Sequence, residues 1–274
     1  GVVSMFAVIS GALSNAISRY ITYGLGKGDK EKLKMIFCTS VNIQIIIALI
    51  IFVLCEIVGL WFLNSRMNIP EDRLVAANWV LHCSLLTFVV NLISVPYNAC
   101  IIAHEHMNAY AYISIFDAIL KMSVAYLLIV SPVDKLIAYS VLLFVTALGV
   151  RLLYGFYCGR HFKECKYKPI YDRVLFKEMM GFAGWNFFGN ATSVLNIQGV
   201  NILINVFFGV VANSARGIAS QIDAAVNQLV VTFTTAVNPQ ITKSYAQGDS
   251  QRLNYLVCKG AKFSFFLLLL FAVP

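Results

Sequence analysis

Ile21-Thr22-Tyr23-Gly24-Leu25-Gly26-Lys27-Gly28-Asp29-Lys30-Glu31-Lys32-Leu33 has a counterpart 220 residues later: Ile241-Thr242-Lys243-Ser244-Tyr245-Ala246-Gln247-Gly248-Asp249-Ser250-Gln251-Arg252-Leu253. Six positions agree, one of them as Arg for Lys, and each stretch closes one long apolar segment and opens the next. A period this long is not that of a solenoid. It fits a membrane protein built from two copies of one helical half, with a polar site between them.

The rest of the chain carries the same message. It is 59% hydrophobic and 12% charged, with a mean hydropathy of +0.76, whereas soluble domains hold about 25% charged residues. Apolar runs of about 20 residues, enough to cross a hydrocarbon core, recur throughout. They do not alternate as barrel strands do. The fold class expected is an all-α polytopic transmembrane bundle. Eight spans are predicted, at about 1–23, 35–63, 74–103, 109–130, 136–157, 181–209, 212–245 and 255–274. Pro96 and Pro239 fall inside spans, where they kink or end a helix.

Sixteen of the 21 Lys and Arg lie near 19–34, 151–177 and 243–262, on one side of an alternating topology. The other side holds Arg66, Arg73, Lys135 and Arg216, and Lys121 is left mid-span. The basic side is expected to be cytoplasmic, in a plasma (inner) membrane. The net charge of +8 then reflects orientation and gives no support to nucleic-acid binding.

The repeated stretches sit at the same end of the first and seventh spans, so the two halves are expected to be parallel. By symmetry one helix is expected before Gly1 and three beyond Pro274, making two six-helix lobes in a longer protein. The expected division is 1–158 as the first lobe, 159–178 as a basic linker and 179–274 as part of the second.

Three stretches then resemble a known family: Asn213-Ser214-Ala215-Arg216-Gly217-Ile218-Ala219-Ser220-Gln221-Ile222, the run Asn238-Pro239-Gln240-Ile241 through Gly248-Asp249, and Pro96-Tyr97-Asn98-Ala99 with Ala103-His104-Glu105-His106-Met107-Asn108-Ala109-Tyr110. They resemble the multidrug/oligosaccharidyl-lipid/polysaccharide (MOP) flippase superfamily, with the flavour of the bacterial oligosaccharide flippases (Wzx-like). The resemblance implies two MATE-like six-helix lobes in a V, alternating access, a monomer, and movement of a lipid-linked sugar or a drug.

Several polar residues lie inside spans. Lys121 at mid-membrane costs about 2.5–3.5 kcal/mol on insertion scales, and Asp117 precedes it by four residues on the same helical face. The pair is either a self-neutralising packing element or a cavity-lining group that exchanges partners with substrate or proton. In the seventh span Asn213, Arg216, Ser220, Asp223, Asn227, Thr234 and Asn238 form one stripe. In the sixth, Asn186, Asn190, Asn201 and Asn205 fall within about 100° of each other. Single asparagines often bond a neighbouring helix; two stripes on adjacent spans point to a hydrated lumen. Arg151 and Arg216 are candidates for anion contact, which suits a pyrophosphate-linked lipid, although Arg151 also fits simple snorkelling. Glu56 and His82 read as packed or interfacial polar residues.

Other signals carry no chemistry. Gly24-Leu25-Gly26-Lys27-Gly28 reads as a helix-ending turn and not a phosphate loop. Two residues apart, His104 and His106 do not share a helical face. Asn190-Ala191-Thr192 is buried in a span. Seven scattered cysteines (38, 55, 83, 100, 158, 165, 258) show no CxxC pair and read as core residues, not as metal ligands. No cofactor, metal or catalytic set is expected, and a membrane glycosyltransferase or polymerase is disfavoured by the short outer loops. The leading expectation is a flippase carrying a polyprenyl-pyrophosphate-linked oligosaccharide to the outer leaflet in polysaccharide (lipopolysaccharide) biosynthesis. A cation-coupled multidrug exporter is the alternative, and either would use a proton or sodium as coupling ion. Asp117 and Asp223 set against Lys121, Arg151 and Arg216 lean toward an anionic substrate.

Overall fold

A computed structural model describes residues 7–65, 71–130, 134–168 and 172–272. Among the described residues there are helices and no strand: α1 (Ala7–Lys27), α2 (Lys30–Ser65), α3 (Glu71–Ala103), α4 (Met107–Val130), α5 (Lys135–His161), a short 3-10 turn (Lys163–Cys165), α6 (Arg173–Gln247) and α7 (Ser250–Ala272). Residues 1–6 of the first expected span lie outside the described residues, as do Arg66 and the 273–274 end of the last.

Side-chain caps start the helices after the two connectors. Asp134 accepts from the Leu136 and Ile137 amides at 2.8 and 3.4 Å, opening α5. Asp172 accepts from Val174 and Leu175 at 2.9 and 3.1 Å, opening α6. Each satisfies amides that have no partner within the helix. Arg73 at the start of α3 bonds the same Asp134 at 2.5 Å, tying α3 to α5 at that end.

The α6 element is two helices joined across a break. Gly209 within it has φ 79 and ψ −178, a conformation open only to glycine at low cost. Phe182 and Thr242 wall the same cavity, yet 60 residues of straight helix would separate them by about 90 Å. The chain therefore doubles back at the Gly209 break, within the 209–212 boundary expected from hydropathy. Pro96 and Pro239 both lie inside helices that continue past them.

The repeated stretches fold alike. Gly28 (φ 74) and Gly248 (φ 77) both end their helices in the left-handed region. Asp29 accepts from the Lys32 amide at 3.0 Å and Asp249 from the Arg252 amide at 2.9 Å. Thr22 and Thr242 each donate back to the carbonyl four residues earlier. The copies also touch at equivalent positions. A Cβ on Gly26 would lie 2.6 Å from the Cβ of Ala246, its partner 220 residues on. A residue that meets its own counterpart sits where a two-fold relation between the halves would pass.

The core gathers at this basic end. Ile17 and Ile21 of α1, Ile36 and Phe37 of α2, Ile101 of α3, Cys158 of α5, and Leu175 and Met179 of α6 pack into one cluster. Away from it, long apolar side chains face outward: Leu49, Ile57 and Trp61 on α2, and Tyr112, Met122 and Ile129 on α4. Such a surface is stable against lipid and unstable in water. Among the described residues, five helical segments, Lys30–Leu63, Arg73–Ala103, Met107–Ile129, Lys135–His161 and Ser250–Leu270, are long and apolar enough to cross a membrane. The protein is a multi-pass membrane protein.

Candidate functional site

A cavity of about 540 Å³ opens among α1, α3, α4 and α5. Asp117 and Lys121 of α4 both line it, and the Lys121 ammonium donates to Asp117 Oδ2 at 2.7 Å. The pair spans one helical turn and keeps both charges on the cavity wall. The rest of the lining combines amide and hydroxyl side chains, Ser14 of α1, Thr87, Asn91, Ser94 and Asn98 of α3, Ser114 of α4 and Tyr154 of α5, with the apolar Val95, Leu143, Ala147 and Val150.

The α3 residues are the main addition to the sequence reading. Positions 87, 91, 94 and 98 recur every three or four residues and so share one helical face. The signal was present in the sequence, diluted by the apolar residues between them. Thr87 and Ser94 donate to the carbonyls of Cys83 and Val90 at 2.7 Å. Their hydroxyl lone pairs remain available as acceptors. Asn98 Oδ1 is buried and has no hydrogen-bond partner among the described residues. A buried polar atom left unpaired costs about 1–3 kcal/mol, which a substrate hydroxyl or water entering the cavity would relieve.

The other expected site residues are distributed differently. Arg151 lies on α5 between two lining residues, but its guanidinium sits over the Tyr97 ring, 3.8 Å from the centroid. It runs along α5 toward Gly155, that is, toward the basic end, as a snorkelling side chain does. Arg216, Asp223, Asn227 and Asn190 all belong to α6 and are not brought to this cavity. Arg216 and Asn190 are half-buried and Asp223 and Asn227 exposed, with Asn227 donating to Asp223 Oδ1 at 2.9 Å. The side chains of Asn201, Asn205 and Asn213 lie outside the described residues. Glu56 and His82, read separately from the sequence, face each other across α2 and α3 at 2.8 Å.

A second polar contact joins the α3–α4 turn to α6 at the basic end. Glu105, in the turn between α3 and α4, accepts from Lys243 at 2.6 Å and from Gln240 at 3.1 Å. Both donors come from the stretch of α6 just before the second repeated turn. Glu105 adopts φ 61, a left-handed backbone that costs a non-glycine residue about 1–2 kcal/mol and that the two bonds hold in place. Burial works against its charge, but the hydrogen bond and charge of Lys243, with the Gln240 bond, outweigh it and hold the carboxyl below its usual range.

The same fold recurs in known structures. A MOP superfamily transporter from Pyrococcus furiosus Vc1, described by the reversed polarity of its binding pocket, aligns with a TM-score of 0.80 over 96% of this chain and 59% of its own, at 13% identity. A multidrug resistance MATE family transporter in an outward-facing conformation aligns at 0.79, 96%, 59% and 13%. The chain has the MATE transporter fold. The MATE multidrug transporter DinF-BH also aligns, with a TM-score of 0.71 and 17% identity over 97% of this chain and 60% of its own. The chain thus spans about three fifths of the length of these MATE-fold structures. The MatE family model matches residues 1–127, the part that contributes α1 to α3 and most of α4. No curated protein matches the sequence.

Proposed function

We propose that this chain is the greater part of a MATE-fold transporter that moves a lipid-linked oligosaccharide between leaflets by alternating access, with lobes at 1–158 and from 179 onward joined by the 159–178 linker. The observation that carries the reading is the chemistry of the cavity. Among the described lining residues its one carboxylate, Asp117, is bonded to its own ammonium, Lys121. It therefore offers little net negative charge to a lipophilic cation. What remains are Asn91, Asn98, Thr87, Ser94, Ser14 and Ser114, amides and hydroxyls that pair with sugar hydroxyls, and an ammonium that can turn from Asp117 to a phosphate oxygen. The lipid tail would stay in the bilayer beside the outward apolar faces. In this reading the Glu105–Lys243 contact fastens the two lobes together at the basic end, and its release would open that side.

A second reading, a cation-coupled drug exporter, is favoured by the multidrug transporters among the similar folds. Reconstitution of the full-length protein separates the two. Transfer of a fluorescent polyprenyl-pyrophosphate oligosaccharide between liposome leaflets, without extrusion of a cationic dye, is the expected result. Dye extrusion with no lipid transfer would exclude the flippase.

A further inference from the structure

Three metal-ligating side chains from two segments far apart in sequence meet at the basic end of α3, with a fourth, Cys165, against one of them. Cys100 lies in the last turn of α3 and His104 one turn later, so both face the same way. The 3-10 turn after α5 brings Glu164 and Cys165 against them. Cys165 Sγ lies 3.3 Å from Cys100 Sγ, and His104 Nε2 lies 2.5 Å from Glu164 Oε1. The ligand atoms of Cys100, His104 and Glu164 all fall within 4.8 Å of one another. Cys100 and Cys165 are buried, at 0% and 5% exposure. Phe162 stacks on the His104 ring at 4.0 Å and fixes its plane.

We propose that these residues form a binding site for a divalent cation of the zinc type, with Cys100, His104 and Glu164 as the converged ligands and Cys165, 3.3 Å from Cys100, turning in as the fourth. Two thiolates, an imidazole and a carboxylate are a donor set that a borderline-soft tetrahedral cation prefers, whereas calcium and magnesium take oxygen-rich sites. The size also fits. With Zn–S bonds of about 2.3 Å, two thiolates on one tetrahedral ion sit about 3.7 Å apart, so the observed sulfur pair needs to open by only a few tenths of an ångström. The two thiol protons leave to water as the ion enters.

A disulfide between the same sulfurs is the competing use of the pair. The basic end is the cytoplasmic one by its charge, and that compartment keeps thiols reduced. The position gives the ion a purpose. Glu164 and Cys165 begin the segment that leads to α6, while His104 directly precedes Glu105, which holds Lys243. A bound ion would fasten that segment to the turn carrying the closing contact. The proposal does not rest on the identity of the transported substrate.

The test uses the full-length protein, purified under reductant and without chelator, with zinc and then cobalt alone as probes. The expected result is one equivalent of zinc per chain and a thiolate-to-cobalt charge-transfer band. Cys100→Ser and Cys165→Ser lose the band. His104→Ala, which keeps both thiols, binds at least about tenfold more weakly. Cys258→Ser, at an exposed cysteine, binds as the parent does. Size-exclusion profiles identical to the parent confirm that each variant is folded. A folded, reduced parent protein that takes up no zinc overturns the proposal. So does equal loss in Cys258→Ser, or two fewer titratable thiols with no metal bound, which would mark a disulfide.

Discussion

Replacing Glu105 by Gln preserves its shape and removes the charge that Lys243 reads. Hydrogen bonds to a charged group contribute about 1.5–3 kcal/mol. The Lys243 and Glu105 side chains are 25% and 31% exposed, so solvent screening trims the loss to about 1–2 kcal/mol. If the pair forms only when the basic end is closed, Glu105→Gln shifts the closed-to-open ratio by roughly 5- to 30-fold. Spin labels at Glu31→Cys and Gln251→Cys, equivalent exposed positions flanking the two repeated turns, read this as growth of a longer distance in the full-length protein. Lys243→Ala should give the same shift, and the double variant no more than either single change. The pH dependence has a definite sign. The Glu105 carboxyl is held below its usual range, so the contact is intact at neutral pH and is lost only as pH falls through that lowered value. Unchanged distances in both single variants, or fully additive shifts, would refute the assignment of this contact as the closure.

Three further outcomes follow from the geometry. Lys121→Ala leaves Asp117 without its ammonium and is expected to abolish transport while the protein still inserts; normal transport by a well-expressed variant removes Lys121 from the site. Asn98→Leu fills the cavity wall and removes its unpaired acceptor, so uptake of the lipid-linked sugar should fall by more than tenfold with little change in melting temperature. Gly26→Val places side-chain atoms where Ala246 and the Lys243 carbonyl already stand. It should drive the basic end open in the same spin-label experiment, whereas Gly184→Ala, in open space, should not.

Much of the fold was legible because the bilayer imposes it. Apolar runs of membrane length located the long helices, and the glycine-aspartate turns announced the repeat before any contact was known. The Asp117–Lys121 pair was legible because a spacing of four is enough to place two side chains together on a helix. Contacts between distant segments were not. Nothing in the local pattern links Glu105 to Lys243, which lie 138 positions apart, or Cys100 to Cys165, which lie 65 apart. Glu56 and His82 meet only because α2 and α3 pack in one register. The α6 stripes show the opposite case. Their periodicity gives a common face for Asp223 and Asn227, but only packing decides what that face meets, and the described cavity is built instead from the less conspicuous amides of α3.

The most direct test of the account is the leaflet distribution of the lipid-linked oligosaccharide in cells that lack this protein. Accumulation on the inner leaflet, reversed by the full-length protein and not by its Lys121→Ala variant, is the predicted result. An unchanged distribution, with a cationic dye retained in the cells instead, would contradict it.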